Sequence, residues 1–510
     1  MKLTSTVGLV TVMAILLTAG AAAQEAVTLT LEDAIALALE ESFEARTERL
    51  TLLQAEQNLI AARGRFRTNM DLVLNSPDFS ENVQAIRLPD EVPIYNTVGT
   101  LRWQSYLALN QPLPTNGNIS LRSTLYQVQE SVFGDELDDP EKDKRFYSSF
   151  RLQLNQPLFV PNQLKLRLER ADLNHEMAQR EYTRTQLDII YRVTESFYGL
   201  YKAERSREIA RQDLEQQQEL YDLARKKFDA GLIPEVEALQ MEVDLSQKRN
   251  NLLLAEGGLA RMADRFNMTV GLPLERQIKV QTDLEVKFVA VDEQQAVEHG
   301  MRHRAEVRQT QIDQRLAAIT MEETDARSTV RADISAYYDM SGVSDPFLGY
   351  ETGTNQLLRS SLDDIKQRPR NRGIQLTVTV PLWDSGVNRA EVNAARAILS
   401  RRELSIEESR REVAQQIRSA ITRMRESEAR LGALRQSEEV AGKGYDISLA
   451  RFDNGDITSA DLALDRDRLT MARQNYLDAY IEYQLALADL KRQTLYDWEN
   501  DRSLVQVSTS

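Results

Sequence analysis

The sequence predicts a mainly α protein with a β-barrel part, built as two tandem copies of one structural unit. Three observations carry this. A block of sequence recurs at a fixed offset, and the hydrophobic period switches from two to a helical repeat inside each copy. An export signal opens a chain with no apolar run long enough to span a membrane as a helix, which leaves a closed β-barrel as the way into a bilayer.

The repeat is explicit in the residues. Leu154-Asn155-Gln156-Pro157-Leu158-Phe159 resembles Val378-Thr379-Val380-Pro381-Leu382-Trp383, an offset of 224 residues from Pro157 to Pro381. Tyr221-Asp222 and Phe228-Asp229-x-Gly231 match Tyr445-Asp446 and Phe452-Asp453-x-Gly455 at the same offset. Upstream, Ala34 to Arg46 resembles Ala296 to Arg308 at an offset of 262, so the first copy holds 38 extra residues between its first helix and its Pro-Leu motif.

At the N-terminus, Lys2, the apolar run Val7 to Leu17 and Ala21-Ala22-Ala23 read as a secretory signal peptide cleaved after Ala23. The run falls short of the roughly 20 apolar residues a spanning helix needs. No cysteine is present, so no lipid anchor is attached through one. The formal net charge is −15, with 63 basic against 78 acidic residues, which argues against nucleic acid as a partner.

Helical periodicity covers Thr30 to Arg65. In the insertion, Leu101 to Leu113 and Ile119 to Val128 alternate around the turn Pro114-Thr115-Asn116-Gly117, which predicts an added β-hairpin; Leu109 to Leu113 repeats Leu154 to Leu158. Phe150, Leu152 and Leu154 alternate with Arg151, Gln153 and Asn155, as Ile374, Leu376, Val378 and Val380 do with polar neighbours. One apolar and one polar face suits a barrel strand between lipid and water, and equally a surface strand over a soluble core. Asp135 to Lys144 and Ser341 to Arg372 read as external loops.

Asn162 to Gly231 predicts a helix about 100 Å long, returning over about 60 Å to Gly271-Leu272-Pro273. Strand-like Ile278 to Val280 and Val286 to Val291 follow, and then a helix over Asp292 to Arg327. The second copy repeats the hairpin from Asn388 to Gly455 and on to about Trp498. Leu462, Leu469, Tyr476, Tyr480, Tyr483, Leu487 and Leu490 form a heptad seam, matched by Leu245, Leu252, Leu259 and Phe266, so these helices pack as coiled coils. Gly231 and Gly455 mark the hairpin turns.

His299 and His303 stand four residues apart, but a zinc site needs a third ligand and the remaining histidine is His175; the pair reads as a solvated helix face. No nucleophile elbow, P-loop or dinucleotide motif is present, and the carboxylates are dispersed among Arg and Lys along helices. No enzyme, metal or cofactor is expected.

Taken together, Thr30-Leu31-Glu32-Asp33-Ala34, Gln156-Pro157-Leu158 with its twin Pro381-Leu382, Phe228-x-x-Gly231, Phe452-x-x-Gly455 and the tandem repeat resemble the TolC family of outer-membrane efflux proteins. The resemblance covers nearly the whole mature chain. It implies a homotrimeric exit duct in the cell outer membrane that extends into the periplasm. Three protomers would share a lipid-embedded β-barrel and a coiled-coil helical barrel, serving a tripartite efflux or type I secretion system. Its implied partners are a periplasmic adaptor (membrane fusion protein), an inner-membrane RND or ABC transporter, and outer membrane lipids. The organisation expected is residues 1–23 signal peptide, 24–290 first repeat, 291–498 second repeat and 499–510 polar tail.

In the family the helical tips dock the adaptor, which implies Lys227, Phe228 and Gly231 in the first tip and Arg451, Phe452 and Gly455 in the second. The family also closes its periplasmic mouth with acidic rings. Asp461 falls on the first ring position; Leu464 takes the second, with Asp465 adjacent. The gate arginine position is Ile457 and the gate tyrosine position is Phe452, so the polar latch is largely missing. Asp461 equally suits a helix N-terminus, where a carboxylate is stabilised. The rival from another class is a secreted periplasmic coiled-coil scaffold without a pore.

Overall fold

Thr30 opens the first helix because its hydroxyl accepts the Asp33 N–H while the Asp33 carboxylate reaches back to the Thr30 N–H, so two of the helix's orphan donors are satisfied together. This is seen in a computed structural model that describes residues 27–86, 94–133, 140–231, 233–282, 287–454 and 456–504. The signal peptide lies outside the described residues, as do Gly455, 135–139 of the first expected external loop, and 505–510 of the expected tail.

In chain order the elements are β1 (Val27–Leu29), α1 (Leu31–Glu41), α2 (Phe43–Gly64), β2 (Asn69–Ile86), β3 (Ile94–Pro112), β4 (Asn118–Phe133) and β5 (Glu141–Leu158). Next come α3 (Gln163–Asp229), α4 (Glu235–Val270), β6 (Ile278–Val280), α5 (Glu293–His303), α6 (Ala305–Asp325), β7 (Arg331–Val343) and α7 (Thr354–Gln367). The chain ends with β8 (Asn371–Thr379), α8 (Val387–Asn454), α9 (Ser459–Thr494), β9 (Tyr496–Asp497) and β10 (Arg502–Ser503). Among the described residues, no helix is long and apolar enough to cross a membrane.

The repeat read from the sequence appears in the element boundaries. α9 begins and ends 224 residues after α4, and each is followed by a left-handed cap residue, Gly271 and Leu495, at that same offset. The upstream offset of 262 holds as well. Both expected single helices are broken, the first at Ser42 and the second at Arg304, each in extended backbone. Ser42 restarts its helix by accepting the Ala45 N–H. Arg304 is occupied by Glu306, Gln416 and Gln493.

The chain divides into two compact units. One is drawn from residues up to Leu52, Gln179–Gln309 and from Ile406 onward. It is a sheaf of helices with the small parallel pair β1–β6. Phe197, Phe266, Ile417, Ile421, Met424, Tyr480, Tyr483 and Leu490 lie fully buried in it, so the heptad stripes are core. Burying each such large side chain contributes about 1.5–3 kcal/mol. Small residues let the helices approach: a Cβ on Gly300 would stand 2.3 Å from Ile417 Cδ1.

The other unit, Leu53–Ala178 and Thr310–Ser405, holds a six-stranded antiparallel sheet in the order β2-β3-β4-β5-β7-β8. The expected hairpin is β3–β4, turning at Asn116 with φ 72°. Gln156 clamps that turn, donating to the Thr115 carbonyl (2.9 Å) and accepting the Thr115 hydroxyl (2.7 Å).

Several expectations need correction. Asn69–Ile86 is a strand that the alternation did not reveal. A register shift between Asn75 and Asp78 moves the apolar side from even positions (Met70, Leu72, Leu74) to odd ones (Phe79, Val83). Ser341–Arg372 is not simply a loop: it contains α7, which buries Leu357, Ser361 and Ile365 against the sheet. Residues 141–144 belong to β5, and 287–291 form no strand. Within the expected polar tail, Arg502 and Ser503 pair back on Asp497 and Tyr496.

Candidate functional site: helical tips and the two faces of the sheet

The two hairpin turns predicted from glycine are built differently. At the first, α3 ends at Asp229 and Gly231, at φ 71°, donates to the Phe228 carbonyl (2.8 Å). Positive φ is the reason for glycine there. At the second, the Asp456 N–H returns to the Arg451 carbonyl (2.9 Å). Thr458 then caps α9 in the same reciprocal box as at Thr30, with Asp461 as its partner.

Of the six predicted tip residues, the structure brings Lys227 and Phe452 together. The Lys227 ammonium lies 4.2 Å from the centre of the Phe452 ring and donates to the Phe452 carbonyl at 3.4 Å. The ring is buried in a cluster with Leu220, Ala224, Met241, Tyr445, Leu462 and Leu469, against which Ile457 packs. Phe228 is partly exposed and Arg451 exposed.

The gate candidates divide in the same way. The Asp461 carboxyl is held below the ordinary aspartate value by the Thr458 hydroxyl and then the Thr458 N–H, so in the protomer it serves as a cap. Asp465 is lowered too, chiefly by the Ser448 hydroxyl (2.6 Å) and also by Arg468 (2.8 Å). Leu464 is exposed beside them.

A polar cluster lies inside this unit that the sequence reading missed. Lys248 reaches Asp213 (3.3 Å) and Asp467 (3.1 Å), and the Thr470 hydroxyl donates to Asp213 (3.0 Å). Arg466 is buried and donates to Gln217, which in turn donates to the Met241 carbonyl (3.2 Å). The signal was available at Arg466, four residues past Leu462 and three before Leu469, a seam position where apolar residues are the rule; Lys248, three past Leu245, lies one residue off the seam.

His299 and His303 do not form a solvated face. Their ring centres are 4.4 Å apart, His299 Nδ1 pairs with the Thr494 carbonyl (2.8 Å), and Tyr496 meets His299 edge-on. Burial, with His299, Arg302 and Arg180 nearby, pushes the His303 pKa down. Among the described residues, no group of three or more His, Cys, Asp or Glu could hold a metal ion.

The sheet has two unlike faces. Met70, Leu72, Leu74, Leu109, Ile119, Leu121, Leu152, Ile374, Leu376 and Val378 share one face, most of them exposed. The other carries Asp71, Gln104, Arg102, Arg122, Arg151, Asp339 and several tyrosines. α7 covers part of the apolar face: a Cβ on Gly342 would stand 2.0 Å from the Ser361 carbonyl oxygen, and Thr354 donates to Gln127 (3.0 Å).

The sequence matches the family described as outer membrane efflux protein over residues 107–265 and 347–494, more than half of the chain. Among curated proteins, none matches it. Solved structures share its fold. The Campylobacter jejuni CmeC outer membrane channel aligns with a TM-score of 0.66 at 13% identity, covering 91% of this chain and 85% of that one. The Vibrio cholerae outer membrane protein VceC aligns at 0.64 and 13% identity, covering 91% of this chain and 95% of that one. The Neisseria gonorrhoeae MtrE outer membrane channel aligns at 0.62 and 13% identity, covering 93% and 91%.

Proposed function

The chain belongs to the outer membrane efflux protein family, and on that premise we propose that it is the homotrimeric exit duct of a tripartite export system. It is an outer-membrane efflux channel, in a family of ducts rather than enzymes. The finer reading concerns assembly, mouth and partners.

One observation carries it: the six-stranded sheet is open. β2 and β8 are its edges within one chain, and one face is exposed leucine, isoleucine, valine and methionine. An open edge in hydrocarbon leaves backbone donors and acceptors unsatisfied, at several kcal/mol each. Copies must therefore close it, with β8 of one meeting β2 of the next. The added hairpin lies within the sheet, so each copy adds its strands to the barrel wall and widens it. The helical unit supports the same assembly. Val236, Leu239, Val243 and Leu253 leave a second heptad stripe of α4 exposed, suited to a neighbouring copy.

The Lys227–Phe228–Gly231 and Arg451–Phe452–Gly455 tips are then the docking points for a periplasmic adaptor, behind which an RND or ABC pump selects cargo. With Ile457 and Leu464 replacing polar gate groups, Asp461 and Asp465 provide the remaining charge at the mouth. The domain reading follows the repeat: 24–290 and 291–498, after a signal peptide at 1–23.

Planar-bilayer recording of the purified mature protein tests the duct. Discrete steps with a cation preference are expected, from a species whose gel migration changes on heating. Well-folded protein that never inserts would overturn it in favour of a pore-free scaffold.

A further inference from the structure

Strands β3, β4, β5 and β7 interleave guanidinium groups with tyrosine rings on the polar face of the sheet. Arg122 lies 4.9 Å from the centre of the Tyr106 ring, Arg102 lies 5.8 Å from Tyr126, and Arg151 lies 5.9 Å from Tyr337. Tyr126 stacks on its cross-strand partner Tyr147, with ring centres 4.5 Å apart and planes 8° from parallel. Each arginine is within the roughly 6 Å over which a ring face attracts a cation.

One charge of this patch has no counter-charge opposite it. Arg122 and Arg151 face each other directly across β4 and β5, an arrangement that like charges make unfavourable. Asp339 compensates Arg151 at 3.1 Å. Arg102 stands directly opposite Asp78 across β2 and β3, whereas Arg122, beside the Tyr106 ring, has no carboxylate opposite it on either neighbouring strand. Water-lining alone would be met by any polar side chain. Arg122, exposed and set against a like charge, is therefore the guanidinium of the patch left open to an anion.

We propose that this patch is a weak site for aromatic anions, flat rings bearing a carboxylate or sulfonate, on the path of the cargo. A guanidinium fork pairs with the carboxylate or sulfonate oxygens while its own face rests on tyrosine. Tyr337 is exposed and the half-buried Tyr106, Tyr126 and Tyr147 present their edges, so the ring of the ligand is met in edge contact. Aliphatic anions meet only the charge, and neutral aromatics only the rings. Open exposure keeps the site weak, as conduction requires: cargo must enter favourably and still leave. The proposal rests on the reading that this face lines the lumen.

The chain has no cysteine, so introduced thiols report directly. With the full mature channel in a planar bilayer, Thr124→Cys on the polar face should react with a charged, membrane-impermeant thiol reagent and change conductance, whereas Leu121→Cys on the apolar face should not. Then 1-naphthalenesulfonate should reduce the current far more effectively than methanesulfonate. Its half-blocking concentration should rise about fivefold in Arg102→Gln/Arg122→Gln and in Tyr126→Leu, and be restored in Arg102→Lys/Arg122→Lys more than in the glutamine pair. Unchanged heat-modifiable migration checks that each variant assembles. An unreactive Thr124→Cys in an inserted channel overturns the lumen reading and the site with it. A reactive Thr124→Cys with equal block by both anions, or block indifferent to the variants, leaves the lumen and overturns the site.

Discussion

The Lys227 ammonium sits 4.2 Å over the ring of Phe452, joining the end of α3 to the end of α8. These two residues are 225 positions apart and belong to the two copies of the repeat, so the pair ties one hairpin tip to the other. A cation over a ring at a partly exposed site is worth about 0.5–1 kcal/mol. Lys227→Met should therefore raise amide exchange at residues 230–231 and 456–458 by about two- to fivefold, with Lys227→Arg close to the parent. Exchange unchanged by Lys227→Met would show that apolar packing alone holds the tips.

The Lys248 cluster should respond asymmetrically. Its side chain and that of Asp213 are both largely buried, so removing the lysine strands a carboxylate that keeps the Thr470 hydroxyl as a partner. Lys248→Ala should cost about 3–5 kcal/mol, and Lys248→Met with Asp213→Leu considerably less. Chemical denaturation followed by helical circular dichroism measures both. Equal losses would mean that the charge is solvated and the seam tolerates it.

How far the sequence could be read depended on whether a feature repeats. α4 and α9 share boundaries at the 224-residue offset, and the heptad residues Leu462, Leu469, Tyr480 and Tyr483 are core, because periodicity along one chain reports which side of a helix is buried. β2 escaped because the register shift at Asn75/Asp78 breaks its alternation into two short runs of opposite parity. α7 escaped because its buried stripe of Leu357, Ser361 and Ile365 includes a serine and is one helical face of a mostly polar segment. The Lys227–Phe452 pair and the Lys248 cluster join residues far apart in sequence, and one sequence carries no sign of such partners beyond a charge in an apolar seam.

Unseating α7 should expose it to protease. The carbonyl of Ser361 lies where a side chain on Gly342 would be, and backbone cannot swing aside. Gly342→Val should therefore displace α7 and let trypsin cut at Arg359, Lys366 and Arg368 in reconstituted vesicles. Leu357→Ala, which empties a fully buried position, should do so more mildly, at about 2–4 kcal/mol. Continued resistance in Gly342→Val would mean that the sheet bends to keep the helix.

The acid response of the mouth separates a capping carboxylate from a crowded ring. In the protomer Asp461 is lowered from 3.8 by the Thr458 hydroxyl and amide, and Asp465 from the same value by Ser448 and Arg468. A depressed folded pKa means that the stabilisation from these bonds is present above the unfolded value and is lost as pH falls through the lower, folded one. Three copies brought close would push in the opposite direction, since each carboxylate disfavours its neighbours' charge. The cap bonds are local and reciprocal, so we expect the cap to prevail. Cation preference of the reconstituted channel should persist as pH falls through the ordinary aspartate range and fade only below it, and Asp461→Asn should weaken it at every pH above that. Reversal potentials across a salt gradient measure both. A midpoint well above 3.8 would mean that mutual repulsion around the mouth outweighs the cap, and a preference indifferent to Asp461→Asn would place the selective charge elsewhere along the duct.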